Sequence, residues 1–184
     1  MIKSVLFVCL GNICRSPTAE AIFRKKLKSS KLDIFCDSAG TASWHVGSSP
    51  YEPMQVAAKD RGFDMSKLRA RQITIADFKD FDLIVAMDKK NLSNLQKLCP
   101  DKFDKVYLLT DYSLENLEYN YVPDPYYTRN FSQALDIIET SLSGLVKNLK
   151  KHNIQLVSLP EWKLNTAPSL MPDGQRAVTV FSLV

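Results

Sequence analysis

The segment SVLFVCLGNICRSP, residues 4–17, decides the fold because it joins a strand to a helix through one short loop. Residues 4–9 form a β-branched and aromatic run that is apolar on both faces, which is typical of a central strand in a parallel sheet. After the loop, Ser16 fits the N-cap of a helix, Pro17 its first position and Glu20 its first turn. The segment therefore predicts the first strand and the first helix of an α/β protein.

The same alternation of strand and helix continues along the chain. Further strands are predicted at residues 33–38, 82–87 and 105–109, and further helices at 53–61, 88–98 and 131–150, with Asp88 as an N-cap and Gly62 as a stop. Such alternation indicates right-handed crossovers. The predicted fold class is α/β, a four-stranded parallel sheet with helices on both faces. In such sheets ligands bind beyond the carboxyl ends of the strands, which places the site at the loop of residues 10–16.

That loop has the composition of a site for a tetrahedral oxyanion. Its backbone N–H groups can converge on one point, at which the N-terminus of the following helix is also directed. Gly11 permits close approach of the backbone, and Asn12 tolerates a left-handed conformation that closes the loop. Arg15 can bind two oxygens of the anion through its planar guanidinium.

Cys9 ends the strand and is expected at the floor of this loop. Convergent N–H donors and Arg15 favour a thiolate, and the Ser16 hydroxyl is placed to donate a hydrogen bond to it. Cys9 could instead be a small buried apolar residue, or a metal ligand together with Cys14. The combination of residues in the loop favours phosphoryl transfer to sulfur. We expect no metal and no cofactor.

A departing alkoxide or phenolate needs a proton, and the segment VPDPYY, residues 122–127, supplies a candidate acid. Asp124 lies in a loop that can reach the carboxyl edge of the sheet. Pro123 and Pro125 stiffen this loop, and Tyr126 and Tyr127 follow directly. Asp124 is therefore predicted as the general acid.

VCLGNICRSP after a first strand, together with DPYY before a last helix, resembles the low-molecular-weight protein tyrosine phosphatases. The segments SAGT at residues 38–41 and VAMD at residues 85–88 extend the likeness, which covers residues 3–151. The resemblance implies a flavodoxin-like architecture, a metal-independent mechanism and hydrolysis of phosphotyrosine in proteins through a phosphocysteine intermediate. It also implies that tyrosine-phosphorylated proteins or peptides are the partners and that phosphate-like anions inhibit.

The resemblance assigns roles to individual residues. Cys9 is implied as the nucleophile, Arg15 as the phosphate clamp, and Asp124 as the acid that later activates water. The remaining assignments form two groups: a phosphate-binding loop of Leu10, Gly11, Asn12, Ile13, Cys14, Arg15 and Ser16, and a substrate pocket walled by Ile13, Trp44, Tyr126 and Tyr127.

Three other readings and one regulatory role stay open at this point. Arsenate reductases share the fold and loop but need further cysteines as an electron relay. Protein-arginine phosphatases typically carry Thr where this chain has Ile13, and lack the paired tyrosines. A non-catalytic phosphate-binding adaptor would have lost the nucleophile or the acid.

Cys14 is expected to be the redox partner of Cys9, capturing its sulfenic acid as a disulfide after peroxide attack.

The composition narrows the class of protein, its expected partners and its expected location in the cell. The 24 Lys and Arg residues exceed the 20 Asp and Glu residues only slightly, and their signs are interspersed, so no nucleic-acid partner is expected. The apolar runs are too short for a membrane span, so no membrane partner is expected either. We expect a cytoplasmic protein with reduced thiols. One phosphatase domain is predicted at residues 1–151, followed by an extension of unknown role at 152–184.

Overall fold

Four parallel strands form the central sheet of the computed structural model, which describes residues 1–154. Their order in the sheet is β2-β1-β3-β4. β1 therefore pairs with strands on both sides, and the winding reverses between β1 and β3, which opens a crevice at the carboxyl end of β1. The strands are β1 Ser4–Cys9, β2 Phe35–Gly40, β3 Leu83–Ala86 and β4 Val106–Leu108.

Helices cover both faces of this sheet, as predicted. Alternate side chains of β1 point to opposite faces, so that Phe7 packs in one core with Phe23 and Leu6 packs in the other with Phe78. α1 and α6 pack together on the Phe7 side, whereas α3 and α4 contribute to the Leu6 side. The helices are α1 Arg15–Ser30, α2 Glu52–Asp60, α3 Asp77–Asp80, α4 Lys89–Leu98, α5 Pro125–Thr128 and α6 Phe131–Ile154, with 3₁₀ segments at Pro100–Lys105 and Leu109–Tyr112.

The start of α1 differs from the prediction. The helix begins at Arg15, with Cys14 in the N-cap position, and its first turn contains no acidic residue. Ser16 is thus not the cap, because its hydroxyl lies against the Cys9 sulfur instead of an exposed backbone N–H. Pro17 is accommodated in the first turn, where a helix needs no N–H donor.

Most other boundaries shift by only a few residues. β1 has the predicted bounds, while β2 starts two residues late and continues to Gly40, where it still pairs with Cys9. Asp88 caps α4 as predicted, because its Oδ1 accepts a hydrogen bond from the Asn91 N–H at 2.7 Å. α2 ends one residue early, and Gly62 with φ of 79° follows it.

The division into a domain at residues 1–151 and an extension at 152–184 stays a prediction. α6 continues past the predicted end at residue 150 to Ile154, so the start of the predicted extension is helical. The remainder, residues 155–184, lies outside the described residues. Within the part that the structure describes, no helix is long and apolar enough to cross a membrane.

Gly40 allows the loop after β1 to lie directly on the end of β2. A Cβ atom at this position would stand 2.8 Å from the Leu10 carbonyl oxygen and 3.1 Å from the Asn12 nitrogen. Both neighbours are backbone atoms, so neither can move aside cheaply. The glycine therefore fixes how closely the loop of residues 10–14 packs against the sheet.

Candidate active site

The loop after β1 curls around the Cys9 sulfur. Asn12 turns the chain with φ of 54°, a left-handed value that asparagine adopts more readily than most residues. The Asn12 N–H then donates to Cys9 Sγ at 3.3 Å, and Ser16 Oγ lies 3.0 Å from the same sulfur. Cys9 is buried, at the carboxyl end of β1 and beside the N-terminus of α1. The sulfur thus accepts a hydrogen bond from the loop backbone and contacts the Ser16 hydroxyl.

The Asn12 side chain holds this loop in place through three hydrogen bonds. Its Nδ2 donates to Ser16 Oγ and to Ser38 Oγ, both at 2.9 Å, and its Oδ1 accepts from the Arg71 backbone N–H at 2.9 Å. Ser38 Oγ in turn donates to Glu20 Oε2 at 2.6 Å. The resulting buried network joins the loop to α1, to β2 and to the segment before α3.

Glu20 ends this network as a buried carboxyl group. Its Oε1 lies 2.5 Å from a guanidinium nitrogen of Arg24. Burial raises the pKa of the Glu20 carboxyl above its ordinary value of 4.5, although Ser38 and Arg24 oppose the rise. A buried acidic group is thus connected to the Cys9 sulfur through Ser38, Asn12 and Ser16.

Arg15 is buried at the first position of α1 and is held by two carboxylates. Its Nη1 donates to Asp88 Oδ2 at 2.5 Å, and its Nη2 donates to Asp124 Oδ2 at 2.6 Å. Burial lowers the pKa of Arg15, but Cys9, Asp124 and Asp88 outweigh it and raise the pKa above its ordinary value. Its buried Nε makes no hydrogen bond within residues 1–154, so a donor remains for a bound anion.

Asp124 is held at the same edge of the sheet by its own loop. It is the N-cap of α5, where its Oδ1 accepts from the Tyr126 N–H at 3.2 Å, and Pro125 is the first residue of that helix. The neighbouring Val122 N–H donates to the Met87 carbonyl at 2.8 Å, which ties the loop to the end of β3. The two prolines and this bond position the carboxyl beside Arg15.

These elements enclose a cavity of about 250 Å³. Trp44 reaches it from the segment after β2, which is fixed to the loop by a hydrogen bond from the Ala42 N–H to the Leu10 carbonyl at 2.9 Å. Twelve site residues were predicted, and ten of them line the cavity; Asn12 and Ser16 lie behind Cys9 instead. The lining residues are Cys9, Leu10, Gly11, Ile13, Cys14, Arg15, Trp44, His45, Asp124, Tyr126 and Tyr127.

Sequence reasoning missed the roles of two residues here. His45 lines the cavity next to Trp44, and only its position in the chain beside that aromatic residue could have indicated it. Asp88 was expected to cap a helix, and its second oxygen also binds Arg15. Its position directly after β3, at the edge where the strands of a parallel sheet present ligand-binding residues, was the available signal.

Cys14 is a buried thiol on the cavity wall. Burial raises its pKa, as do the neighbouring Cys9 and Asp124, while Arg15 and Arg129 lower it by less. Cys14 is therefore protonated at neutral pH.

Comparison with known proteins decides the family. The sequence model of the low molecular weight phosphotyrosine protein phosphatase family matches residues 4–155. The chain belongs to this family. As a low molecular weight phosphatase it is a hydrolase, and its four-stranded parallel sheet agrees with the architecture that the resemblance implied.

Its relatives include several bacterial phosphatases. The chain is 42% identical over 151 residues to the low molecular weight protein-tyrosine-phosphatase YfkJ of Bacillus subtilis, covering 80% of this chain and 96% of YfkJ. It is 40% identical over 148 residues to PtpA of Staphylococcus aureus, covering 80% of this chain and 94% of PtpA. The crystal structure of YfkJ superposes with a TM-score of 0.79 over 83% of this chain and 97% of that one, at 41% identity. A protein tyrosine phosphatase from Entamoeba histolytica superposes with a TM-score of 0.77 at 37% identity, covering 82% and 98% of the two chains.

The raised pKa of Glu20 predicts a pH dependence of stability. A protonated carboxyl favours the fold fully below about pH 4.5, and this contribution is lost as the pH rises through the higher pKa of the folded state. Glu20→Gln does not titrate. The free energy of unfolding of the wild type should therefore fall relative to that of Glu20→Gln between about pH 4 and about pH 7, measured by urea unfolding.

Removing the Ser38 hydroxyl provides a second arm of this test. Because Ser38 donates to the carboxylate and opposes the rise in the pKa of Glu20, Ser38→Ala should enlarge the pH-dependent loss. A difference between wild type and Glu20→Gln that stays constant or grows with pH would show that burial does not govern the titration of Glu20.

Proposed function

We propose that this chain hydrolyses phosphotyrosine in proteins and peptides through a phosphocysteine intermediate. In this proposal Cys9 is the nucleophile, Arg15 clamps the phosphate, and Asp124 is the general acid and then the general base. The observation that carries it is that a sulfur surrounded by donors, a buried guanidinium and a loop carboxyl line one cavity, with Arg15 bonded to Asp124. The relatives named as protein-tyrosine-phosphatases support the substrate class.

The first step transfers the phosphoryl group to sulfur. Cys9 Sγ attacks phosphorus and forms the S–P bond while the bond from phosphorus to the phenolic oxygen breaks. Arg15 and the backbone N–H groups at the start of α1 bind the non-bridging oxygens, which stabilises the charge of the transition state. A protonated Asp124 gives its proton to the phenolic oxygen as this bond breaks, so that tyrosine leaves as a neutral phenol.

The second step returns the enzyme to its starting state. Asp124, now a carboxylate, accepts a proton from a water molecule, which attacks phosphorus. The S–P bond breaks, phosphate is released, and Cys9 leaves as a thiolate that the Asn12 N–H and the Ser16 hydroxyl stabilise. No metal or redox partner is needed for this balance. Because the loop binds a phosphoryl group, phosphate-like anions should compete with substrate.

The walls of the cavity favour an aromatic phosphoester. Trp44 and Tyr127 are exposed at 73% and 70%, so their rings are free to pack against a substrate ring, and Tyr126 lies beside them. The arsenate reductase alternative needs further cysteines, but Cys36 is buried within β2 and neither it nor Cys99 lines the cavity. Ile13 and the tyrosine pair argue against a phosphoarginine substrate. A cytoplasmic location, in which thiols stay reduced, suits a reactive Cys9.

Replacement of Asp124 by Asn tests the assignment of the proton. Asn keeps the size of the side chain, and its single amide oxygen can replace one of the two carboxylate oxygens that accept from Arg15 and the Tyr126 N–H, but it has no acidic proton to transfer. Hydrolysis of a phosphotyrosine peptide should fall about 10²–10⁴-fold in kcat. Hydrolysis of p-nitrophenyl phosphate should fall much less, because its leaving group departs readily as an anion. Steady-state kinetics with both substrates measures the difference.

Two further variants make this test decisive. Cys9→Ser should abolish turnover of both substrates, which shows that the residual activity of Asp124→Asn belongs to this site. Asp88→Asn, at the other carboxylate on Arg15, should slow both substrates to a similar degree because it perturbs the clamp and not the proton. Equal losses on both substrates in Asp124→Asn would mean that the proton comes from another group.

We also propose that Cys14 protects Cys9 from irreversible oxidation. Peroxide oxidises the Cys9 thiolate to a sulfenic acid and is itself reduced to water. The Cys14 sulfur then attacks the Cys9 sulfur, forms a disulfide and releases a second water molecule. Both thiols line one cavity, and the pKa of Cys14 is raised by burial and by Cys9, so that Cys14 escapes direct attack until the sulfenic acid forms.

Recovery after peroxide treatment tests this role. The wild type should regain most of its activity when dithiothreitol reduces the disulfide, whereas Cys14→Ser should regain far less because Cys9 proceeds to a sulfinic acid. Cys99→Ser is the matched control, since Cys99 does not line the cavity. Equal recovery of Cys14→Ser and wild type would contradict the protective role.

A further inference from the structure

Arg129 is an exposed cation held next to the wall of the cavity. It directly follows α5 with φ of 58°, and its guanidinium carbon lies 5.5 Å from the centre of the Tyr51 ring and 5.6 Å from the centre of the Tyr126 ring. One of its nitrogens also donates a hydrogen bond to the Tyr51 hydroxyl. Two aromatic rings and a hydrogen bond thus fix the direction of a side chain that would otherwise sample many rotamers.

No carboxylate neutralises this charge within the described residues. The guanidinium of Arg129 makes one hydrogen bond there and no ion pair, so most of its N–H donors are available to an incoming group. Within residues 1–154, Arg69 donates only to backbone carbonyls, whereas four other arginines each pair with at least one carboxylate: Arg15, Arg24, Arg61 and Arg71. Arg129 therefore presents a charge that is ordered by aromatic rings but not satisfied by an acid.

The position of Arg129 relates this charge to the substrate site. Tyr126 lines the cavity and also lies under the Arg129 guanidinium, so the cation stands one aromatic ring away from the cavity. Its field reaches the loop, since Arg129 is among the charges that lower the pKa of Cys14 against the larger rise caused by burial. Extended peptide advances about 3.3 Å per residue, so a side chain within a few residues of a bound phosphotyrosine can reach the guanidinium.

We propose that Arg129 is a specificity subsite for an acidic side chain, Asp or Glu, that flanks the phosphotyrosine of the substrate. The proposal rests on the proposed function and adds the class of sequence that the enzyme prefers. A carboxylate accepts two hydrogen bonds from the planar guanidinium without displacing it from the Tyr51 and Tyr126 rings. The pair is exposed, so its expected effect is modest, about two- to five-fold in kcat/KM, and it weakens as salt is added.

Matched phosphotyrosine peptides test the subsite. Each pair carries Glu or Gln at one of the three positions on either side of the phosphotyrosine and is otherwise identical and neutral. At one or more positions, wild type should hydrolyse the Glu peptide about two- to five-fold faster in kcat/KM at low salt than the Gln peptide. In Arg129→Gln this ratio should fall to about one, and in Arg129→Lys it should fall only part of the way.

The ratio of the two kcat/KM values separates a loss of recognition from a loss of structure. A general disturbance of the α5 loop lowers kcat/KM for the Glu and Gln peptides alike and leaves their ratio unchanged. Lys28→Gln is the matched control: it removes one positive charge from an exposed position about 20 Å along α1 from the loop, and it should keep the wild-type ratio. A ratio that persists in Arg129→Gln, or that is one in wild type at every position, overturns the subsite. If no peptide is hydrolysed at all by wild type, the proposed function fails instead.

Discussion

The left-handed turn at Asn12 is the constraint on which the site depends. Adopting this conformation costs a residue other than glycine about 1–2 kcal/mol. The side chain of Asn12 offsets the cost with three hydrogen bonds, to Ser16, to Ser38 and to the Arg71 backbone, each worth about 1 kcal/mol. Since Asn12, Ser16 and Ser38 are all buried, breaking a bond between them would leave a buried donor or acceptor without a partner. The turn is therefore stable only when the whole network is formed.

The turn at Asn12 determines the position of the reacting groups. It directs the Asn12 N–H at the Cys9 sulfur and brings Ser16 against the same atom, while Arg15 enters the cavity from the first position of α1. Arg15 is then shared by Asp88 and Asp124, which belong to loops after β3 and before α5. Three segments far apart in sequence thus meet on one guanidinium. The two carboxylates compensate the charge of the buried guanidinium, and the pairing orients the carboxyl that is proposed to transfer the proton.

Local signals made much of the fold and of the site predictable. The apolar run of β1 has its predicted bounds, and Asp88 caps its helix, because both depend on residues adjacent in the chain. Residues of the loop and of the DPYY segment meet in one cavity, because parallel strands present their following loops at one edge. The predicted start of α1 was wrong. Serine is a common N-cap residue, but the hydroxyl of Ser16 contacts the Cys9 sulfur instead of capping the helix.

Contacts between distant segments could not be predicted from the sequence. The bond from Ser38 to Glu20, and the second role of Asp88 at Arg15, join residues 18 and 73 positions apart. No periodicity or spacing encodes such a pair, since each residue also has an ordinary local interpretation as a strand, helix or cap residue. The same holds for Arg129, whose significance comes from the rings of Tyr51 and Tyr126 beneath it.

Covalent capture of the phosphoryl group tests the central claim most directly. The Asp124→Asn enzyme, in which activation of water is slowed, is mixed with p-nitrophenyl phosphate, denatured rapidly at alkaline pH, digested and examined by mass spectrometry. The account predicts one phosphoryl group on the peptide that contains Cys9, attached to its sulfur, and none in the Asp124→Asn, Cys9→Ser double variant. A phosphoryl group on another residue, or nitrophenol release in the double variant at the rate of Asp124→Asn, would contradict a mechanism through Cys9.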